Sequence, residues 1–219
     1  MTDASAWRPT AEDVAFCDVY GDWEPLTPPE LRDQMAGFPA PWWVVGGWAV
    51  EAFTGVARFH EDIDLVVFAD DLPALREQFR GVFHLWCNHG GTFRILDDDH
   101  PEPLHPLNQV WMRQDARSPW RVDCPLNPRR DGLWQSKRDP DLVAELEDVT
   151  WVAEDGVRYL DAEIVLHYKA LQHRDKDAID LAGVWPLLSP EKQAWLRERV
   201  RRDYPDHPWQ SRLDGAAQG

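Results

Sequence analysis

The sequence is poor in cysteine and has no long apolar run. Cys17, Cys87 and Cys124 are the three cysteines in 219 residues, and no two of them have the C-x-x-C spacing. An odd number of scattered cysteines argues against a disulfide framework and is typical of a reducing compartment. No apolar run reaches the roughly 20 residues of a membrane-spanning helix. Because residues 1–5 also lack the basic and apolar segments of a signal peptide, we expect a cytoplasmic protein.

Positive charge is also scarce. Lys and Arg number 23 against 39 Asp and Glu, which gives a formal net charge of -16. Nonspecific binding to polynucleotides and anionic lipids is electrostatic, so this charge disfavours nucleic acid and membrane as partners. A cationic small molecule or a basic protein is easier to accommodate, although solubility alone also explains the charge. The composition leaves the oligomeric state open.

The chain has enough apolar residues for a folded core: 43% are hydrophobic and 13 are Trp. The pattern predicts an α+β fold, with a mixed-sheet core and flanking helices in residues 1–130, then a hairpin and a helical subdomain in residues 131–219. Predicted helices cover residues 11–20, 29–37, 47–53, 72–79 (capped by Asp70-Asp71), 161–173, 175–188 and 189–204. Predicted strands cover residues 42–45, 62–68, 82–86, 92–96, 109–113 and 120–124, and Asp155-Gly156 predicts a two-residue hairpin turn.

The pair Asp62 and Asp64 is the first candidate for chemistry. On a strand these two side chains point to the same face, with Cα atoms ~6–7 Å apart, while Ile63 points into the core. Two converging carboxylates repel each other unless a cation or a proton lies between them, and hard oxygen ligands suit Mg²⁺. A pair of solvated acids on an edge strand gives the same pattern.

Two further features of the sequence gain meaning when they are considered together with Asp62 and Asp64. Gly46-Gly47 follows a predicted strand and precedes a predicted helix, which lets the backbone approach a phosphate closely; an ordinary tight turn is the alternative. Asp123 is the one acid in a short apolar strand. If that strand pairs beside residues 62–67, Asp123 completes a cluster of three carboxylates and is suited to act as a base for a substrate hydroxyl.

Taken together, these features resemble the polymerase-β-type nucleotidyltransferase superfamily. The run GGWAVE at residues 46–51 and the run RFHEDIDL at residues 58–65 are similar to the aminoglycoside 2″-adenylyltransferase branch. The resemblance continues less specifically through the C-terminal helices to Trp209. In two places the chain departs from the family pattern: Glu51 stands where Asp is usual, and Asp161 stands where a proline commonly precedes the helix glutamate.

The resemblance implies transfer of a nucleoside monophosphate, expected to be AMP from ATP, to a hydroxyl of a small acceptor. Asp62, Asp64 and Asp123 would hold Mg²⁺, with two ions expected, and Asp123 would also serve as general base. The nucleotide would contact the side chains or backbone of Gly46, Gly47, Arg58, Lys169 and Lys176. A salt bridge to Glu51 is the alternative for Arg58, and solvated helix surfaces are the alternative for the two lysines.

The acceptor is the least defined part of this hypothesis. A polycationic aminoglycoside would suit an acidic cleft, which Glu61 and the run Asp97–Asp99 would line if that run is not simply an exposed loop. The same chemistry on a lincosamide, another metabolite or a protein side chain stays open. So does a non-catalytic nucleotide-binding module on this scaffold, although such a module would not need all three acids.

Overall fold

A computed structural model describes residues 11–215; residues 1–10 and 216–219, which include the segment assessed for a signal peptide, lie outside it. The helices in the described range are α1 Ala11–Tyr20, α2 Pro28–Gln34, α3 Gly46–Thr54, α4 Leu72–Gln78, α5 Ala162–Ala170, α6 Asp175–Val184, α7 Pro190–Asp203 and α8 Gln210–Gly215. The strands are β1 Trp42–Val44, β2 Leu65–Val67, β3 His84–His89, β4 Thr92–Leu96, β5 Gln109–Arg113, β6 Val122–Pro125, β7 Arg129–Arg130, β8 Leu133–Gln135, β9 Val143–Ala144, β10 Thr150–Val152 and β11 Arg158–Leu160.

Two four-stranded sheets meet along β2 and β6. One sheet has the order β10-β11-β1-β2 and the other β4-β3-β5-β6. Parallel bridges pair Asp64 with Asp123 and Phe68 with Asn127, and the Asp123 backbone N–H donates to the Ile63 carbonyl at 3.0 Å. The expected pairing of the Asp123 strand beside residues 62–67 is therefore confirmed, and it places the two acids side by side.

The C-terminal part completes the first sheet and covers it with helices. Strand β11 pairs with β1 in parallel, with Val44 opposite Tyr159, so the β10–β11 hairpin extends the same sheet that carries Asp64. Helix α5 packs against α3 and α7, and α6 packs against α3 and α5. The division into residues 1–130 and 131–219 stays a prediction.

The strand predicted for residues 62–68 is wrong at its start, because the regular strand begins at Leu65. The backbone ahead of β2 is bonded elsewhere: the Trp48 indole Nε1 donates to the Asp62 carbonyl at 3.1 Å, and the Ile63 carbonyl accepts from Asp123. Asp62 therefore lies in a loop, and Asp64 lies at an isolated bridge. The two acids do not share a regular strand.

Smaller differences between the predicted and the observed elements have local causes. Asp71 precedes α4 but makes no side-chain cap, because its carboxylate pairs with Arg129 at 2.5 Å. The hairpin between β10 and β11 is confirmed, but residues 153–157 separate its strands, so its loop is longer than predicted. Helix α7 begins as expected, with the Ser189 hydroxyl accepting from the Lys192 backbone N–H.

Within residues 11–215, no helix is both long enough and apolar enough to span a membrane.

Candidate active site

One cleft collects the residues that the sequence singled out. It lies where the start of α3 and the starts of β2 and β6 face α5 and α6. Nine predicted site residues line it: Gly46, Gly47, Arg58, Glu61, Asp62, Asp64, Asp123, Lys169 and Lys176. The acidic run Asp97–Asp99 does not line it. Asp98 instead pairs with Arg76 and Arg80, at 3.2 Å from each, and the run lies in a loop in which Asp98 and Asp99 are exposed, so the exposed-loop interpretation is confirmed.

The two glycines are required by close approach at the start of α3. Gly46 has φ +68°, and a Cβ there would lie 2.0 Å from Oδ2 of Asp64. A Cβ on Gly47 would lie 2.2 Å from Nη2 of Arg58. A larger residue at either position would displace a cleft side chain, and at position 46 it would also be strained. The glycines thus bring the N-terminus of α3 against the carboxylate of Asp64.

Asp123 is the most buried of the three acids, with 4% of its surface exposed. Its Oδ2 accepts a 3.0 Å hydrogen bond from Nε2 of Gln109, whereas its Oδ1 is buried without a hydrogen-bond partner. Burial, followed by the charges of Asp64 and Asp62, raises its pKa well above the usual value. A buried carboxylate oxygen without a donor is costly unless a ligand supplies the missing partner.

Asp64 and Asp62 experience the same crowding. Burial, with the charge of Asp62 added, raises the pKa of Asp64 to about 7. Burial also raises the pKa of Asp62. The positive charge of Lys176 opposes this rise, and the negative charge of Glu61 adds to it. These three carboxylates are close enough to disfavour each other's ionisation, and a divalent cation would relieve that repulsion.

The donor set fits a hard cation. Three carboxylates face one cleft, as oxygen-ligated Mg²⁺ would require. Within residues 11–215, no three acid, imidazole or thiol side chains are already gathered as tightly as in a formed metal site. Mg²⁺ commonly takes only one or two carboxylates and completes its shell with water and phosphate, so the three acids fit this ion without forming a closed site.

The basic residues of the cleft are largely paired. Lys169 contacts Asp177 at 3.1 Å and Asp180 at 2.9 Å, and Lys176 contacts Glu61 at 2.7 Å. The two lysines therefore do not lie on a solvated helix surface. A nucleotide would have to share them with these carboxylates.

Arg58 has a different partner from the one considered in the sequence. Its guanidinium reaches Asp180 at 3.3 Å, so the alternative of a salt bridge to Glu51 is wrong. Glu51 instead accepts from the Arg58 backbone N–H at 2.9 Å and contacts Nε2 of His60 at 2.7 Å. His60 stacks on Trp48 with ring centroids 3.6 Å apart. The RFHEDIDL run is thus fixed to α3 through its backbone and its histidine.

Several cleft residues carried no sequence signal. Gln109 contacts Asp123 from the neighbouring strand, and Tyr168, Arg138 and Arg174 reach the cleft from the C-terminal part. Gln109 could be found once β5 and β6 were paired, since it stands two positions from Trp111, the register partner of Asp123, and therefore on the same face of the adjacent strand. The other three depend on long-range packing that no local pattern encodes.

Comparisons with known proteins give one family match and several structural similarities. The family model described as aminoglycoside-2″-adenylyltransferase matches residues 30–83. No curated protein matches the sequence significantly. The solution structure of the antibiotic-resistance factor ANT(2″)-Ia has a TM-score of 0.52 at 18% identity, covering 80% of this chain and 89% of that one.

Two crystal structures are also similar. ANT(2″)-Ia in complex with adenylyl-2″-tobramycin has a TM-score of 0.52 at 14% identity, covering 78% of this chain and 94% of that one. The lincomycin-bound lincosamide adenylyltransferase LnuA has a TM-score of 0.49 at 14% identity, covering 72% and 94%. The sequence match and the similarity to ANT(2″)-Ia confirm the resemblance stated above: the chain has the α+β fold of an aminoglycoside adenylyltransferase-like nucleotidyltransferase.

Proposed function

We propose that this protein is a Mg²⁺-dependent nucleotidyltransferase that moves a nucleoside monophosphate, AMP from ATP, to a hydroxyl of a small acceptor. The observation that carries the proposal is the cluster of Asp62, Asp64 and Asp123 in one cleft, with Oδ1 of Asp123 buried and unpaired. The matched family and ANT(2″)-Ia support adenylyl transfer. A cytoplasmic location, expected from the cysteine pattern, belongs to the same proposal.

The residues divide the reaction between them. The acceptor oxygen bonds to the α-phosphorus, the bond from that phosphorus to the bridging oxygen breaks, and pyrophosphate leaves. Asp123 takes the hydroxyl proton at its unpaired Oδ1, while Gln109 holds Oδ2 and so orients the carboxylate.

The phosphates and the metal would be held by neighbouring groups. The backbone at Gly46-Gly47 opens α3 and offers N–H groups to the triphosphate. Asp62, Asp64 and Asp123 would hold Mg²⁺, with two ions expected, and the metal would supply charge neutralisation at the transferred phosphate. Trp48 binds the Asp62 backbone and thereby fixes the loop that carries this ligand.

The test is transfer itself. The purified protein is incubated with Mg²⁺, each of the four nucleoside triphosphates and a panel of aminoglycosides, lincosamides and simpler hydroxyl compounds. We expect an acceptor to gain the mass of one nucleoside monophosphate as pyrophosphate is released, and the Asp64→Ala variant to do neither. A protein that binds Mg²⁺ and nucleotide but modifies nothing in the panel would favour the non-catalytic nucleotide-binding module.

A further inference from the structure

The loop that leads to Asp62 has no regular structure of its own. Residues 55–63 connect α3 to β2 and belong to no helix or strand. The hydrogen bond from the Asp123 backbone N–H to the Ile63 carbonyl holds only the end of this segment. The position of the Asp62 carboxylate therefore depends on the contacts that the preceding residues of the loop make with their neighbours.

One oxygen of Glu51, on α3, binds the loop at two points. Oε2 of Glu51 accepts from the Arg58 backbone N–H at 2.9 Å and contacts Nε2 of His60 at 2.7 Å. Because a carboxylate can only accept, the contact with His60 requires the proton to be on Nε2 of its ring. The His60 side chain is 6% exposed, so the imidazole is shielded from water. These bonds fix residues 58 and 60, and Asp62 follows two residues later.

Trp48 holds the same loop from the preceding turn of α3. Trp48 and Glu51 are three positions apart on the helix, so their side chains lie on the same face. The Trp48 ring stacks on His60, with ring centroids 3.6 Å apart and an interplanar angle of 10°. Its Nε1 donates to the Asp62 carbonyl at 3.1 Å. Two side chains of α3 thus hold alternate residues of the loop, at positions 58, 60 and 62.

Helix α3 is itself anchored in the core. Ala49 and Val50 are buried, and the helix packs against α5, α6 and β11. Gly47 permits the close approach of the loop, because a Cβ there would lie 3.1 Å from Nδ1 of His60. A loop bound to α3 is therefore held in a fixed position relative to the other walls of the cleft.

Glu51 does not face the cleft. Among the described residues, those that line the cleft include His60 and Asp62 but not Glu51. Glu51 is therefore not a candidate metal ligand, and it acts on the cleft through the loop. An aspartate at the same backbone position is one methylene shorter, so we expect it to lose at least one of the two bonds.

We propose that Glu51 is a positioning residue that sets the Mg²⁺ affinity of the cleft by holding the loop of Asp62 in place for metal binding. The inference rests on the proposed function for the metal, and on the contacts of Glu51, Trp48 and His60 for the residue. Removing a partner that orients a metal ligand typically lowers metal affinity roughly 10–100-fold. The acceptor oxygen of Glu51, rather than its negative charge, is what the loop requires.

The first arm of the test measures binding of the metal alone. Mn²⁺, which prefers oxygen ligands as Mg²⁺ does, is titrated into the metal-free protein, and electron paramagnetic resonance measures the free ion. We expect Glu51→Ala and Glu51→Asp to weaken binding about tenfold, because each loses a bond to the loop. Glu51→Gln keeps an acceptor oxygen without the charge and should bind nearly as tightly as the wild type. Glu77→Ala removes a glutamate of α4 that is paired with Arg80, and this control should change nothing.

The three Glu51 variants separate the possible outcomes. If Glu51→Gln weakened binding as much as Glu51→Ala while Glu51→Asp bound normally, charge alone would explain the effect and the proposal would be overturned. Normal binding by all three variants would overturn it as well, while leaving the proposed function intact. A wild type that binds no Mn²⁺ would contradict the proposed function and this inference together.

The second arm examines the loop without metal. Hydrogen exchange of the backbone amides is followed by NMR in the presence of a chelator, which reports local opening. We expect the Arg58 amide to exchange about tenfold faster in Glu51→Ala, since it loses a bond to a carboxylate, while the amides of β2 keep their wild-type rates. Equal acceleration in the loop and in β2 would indicate a general loss of stability and overturn the proposal, as would an unchanged rate at Arg58.

A second variant of α3 tests the same loop from its other contact. Trp48→Phe keeps a ring beside His60 but removes the donor to the Asp62 carbonyl. We expect this variant also to weaken Mn²⁺ binding about tenfold, while the Arg58 amide, still bound by Glu51, keeps its wild-type exchange rate. Normal Mn²⁺ binding by Trp48→Phe would show that the position of the loop does not determine metal affinity, and would overturn the proposal.

Discussion

The protein buries two groups of carboxylates around the same cleft and treats them differently. Asp177 and Asp180 on α6 are 0% and 3% exposed, and each contacts Lys169. Burial alone would raise the pKa of Asp177, but hydrogen bonds from Arg174 and the charge of Lys169 outweigh it, so the pKa is lowered. Asp64 and Asp123 are also crowded, but burial and the charges of the neighbouring acids raise the pKa of each, and the charge of Lys137 opposes this rise without outweighing it.

This difference distinguishes carboxylates with a structural role, Asp177 and Asp180, from carboxylates that we propose to be functional, Asp64 and Asp123. The α6 carboxylates have their partners within the fold and hold α5, α6 and Arg58 together. The carboxylates proposed to be catalytic instead repel one another, and Oδ1 of Asp123 forms no hydrogen bond with the described residues. Folding alone gains nothing from that arrangement, so we infer that it is kept for a cation and a substrate proton.

The largest effect is expected at the proposed base. Asp123→Asn removes the proton acceptor but keeps the shape, so turnover should fall about a thousandfold while nucleotide binding persists. Stability should stay equal or rise, because one of the mutually repelling charges is lost. Steady-state kinetics and thermal unfolding on one preparation measure both quantities. A variant that folds less stably but turns over normally would place Asp123 in the structural group.

The second-largest effect is expected for the carboxylates that are paired within the fold. Asp177→Asn leaves Lys169 and Arg174 short of a buried carboxylate and should lower the free energy of unfolding by about 3 kcal/mol. Asp175→Asn, on the same first turn of α6 but exposed, is the matched control and should cost under about 0.5 kcal/mol. Urea denaturation measures both. Equal losses would show that the pairing of Asp177 contributes little.

A smaller effect is expected from the glycine beside Asp64. Gly46 and Gly55 have the same φ of +68°, but a Cβ at Gly55 would meet nothing within 4 Å. Gly46→Ala and Gly55→Ala should therefore each lose about 1 kcal/mol from backbone strain. Only Gly46→Ala should also reduce turnover, by roughly a hundredfold, because it displaces the Asp64 carboxylate. Identical turnover in the two variants would remove the need for close approach at position 46.

The smallest effect is the dependence of stability on pH. Because the pKa of Asp64 is raised to about 7, the folded protein holds a proton that the unfolded chain has released. In a chelator, the contribution of Asp64 to stability should therefore decrease as pH rises from about 4 to about 7. The contribution of Asp177, whose pKa is lowered, has the opposite sign and is lost as pH falls below about 4.

This difference is measured by comparing thermal unfolding of the wild type and Asp64→Asn across that range of pH. The wild type should lose stability relative to the variant as pH rises, and Mg²⁺ should remove the loss. Parallel curves with and without Mg²⁺ would mean that Asp64 is not crowded in the folded protein.

The proposed catalytic carboxylates and the paired carboxylates differ in how much of their arrangement could be predicted from the sequence. The motif at residues 46–64 singled out Asp62 and Asp64, while the sequence left open whether the strand of Asp123 pairs beside residues 62–67, a pairing that the Asp64–Asp123 bridge now shows. These residues were accessible because strand, glycine turn and acid spacing are local patterns. The start of β2 was wrong because the Asp62 carbonyl is bound by a tryptophan of α3, which no strand pattern reveals.

The partners of the basic residues could not be predicted from the sequence. Arg58 lies 122 residues from Asp180, and the segment that carries Lys137 is bound to α5 by Tyr168 and to α7 through Asp139. Such pairings depend on how helices pack, and charge alone does not select one partner among 39 acids. The sequence therefore indicated the chemistry more clearly than the specificity.

The most direct test of the central claim is metal-dependent nucleotide binding. Calorimetric titration with a non-hydrolysable ATP analogue is carried out with Mg²⁺ and with a chelator, on the wild type, Asp64→Asn and the Asp175→Asn control. We predict that the wild type and the control bind the analogue only with Mg²⁺, and that Asp64→Asn loses this binding. Binding that is indifferent to Mg²⁺ and to Asp64, or no binding by the wild type, would contradict the assignment of the three carboxylates to a nucleotidyltransferase centre.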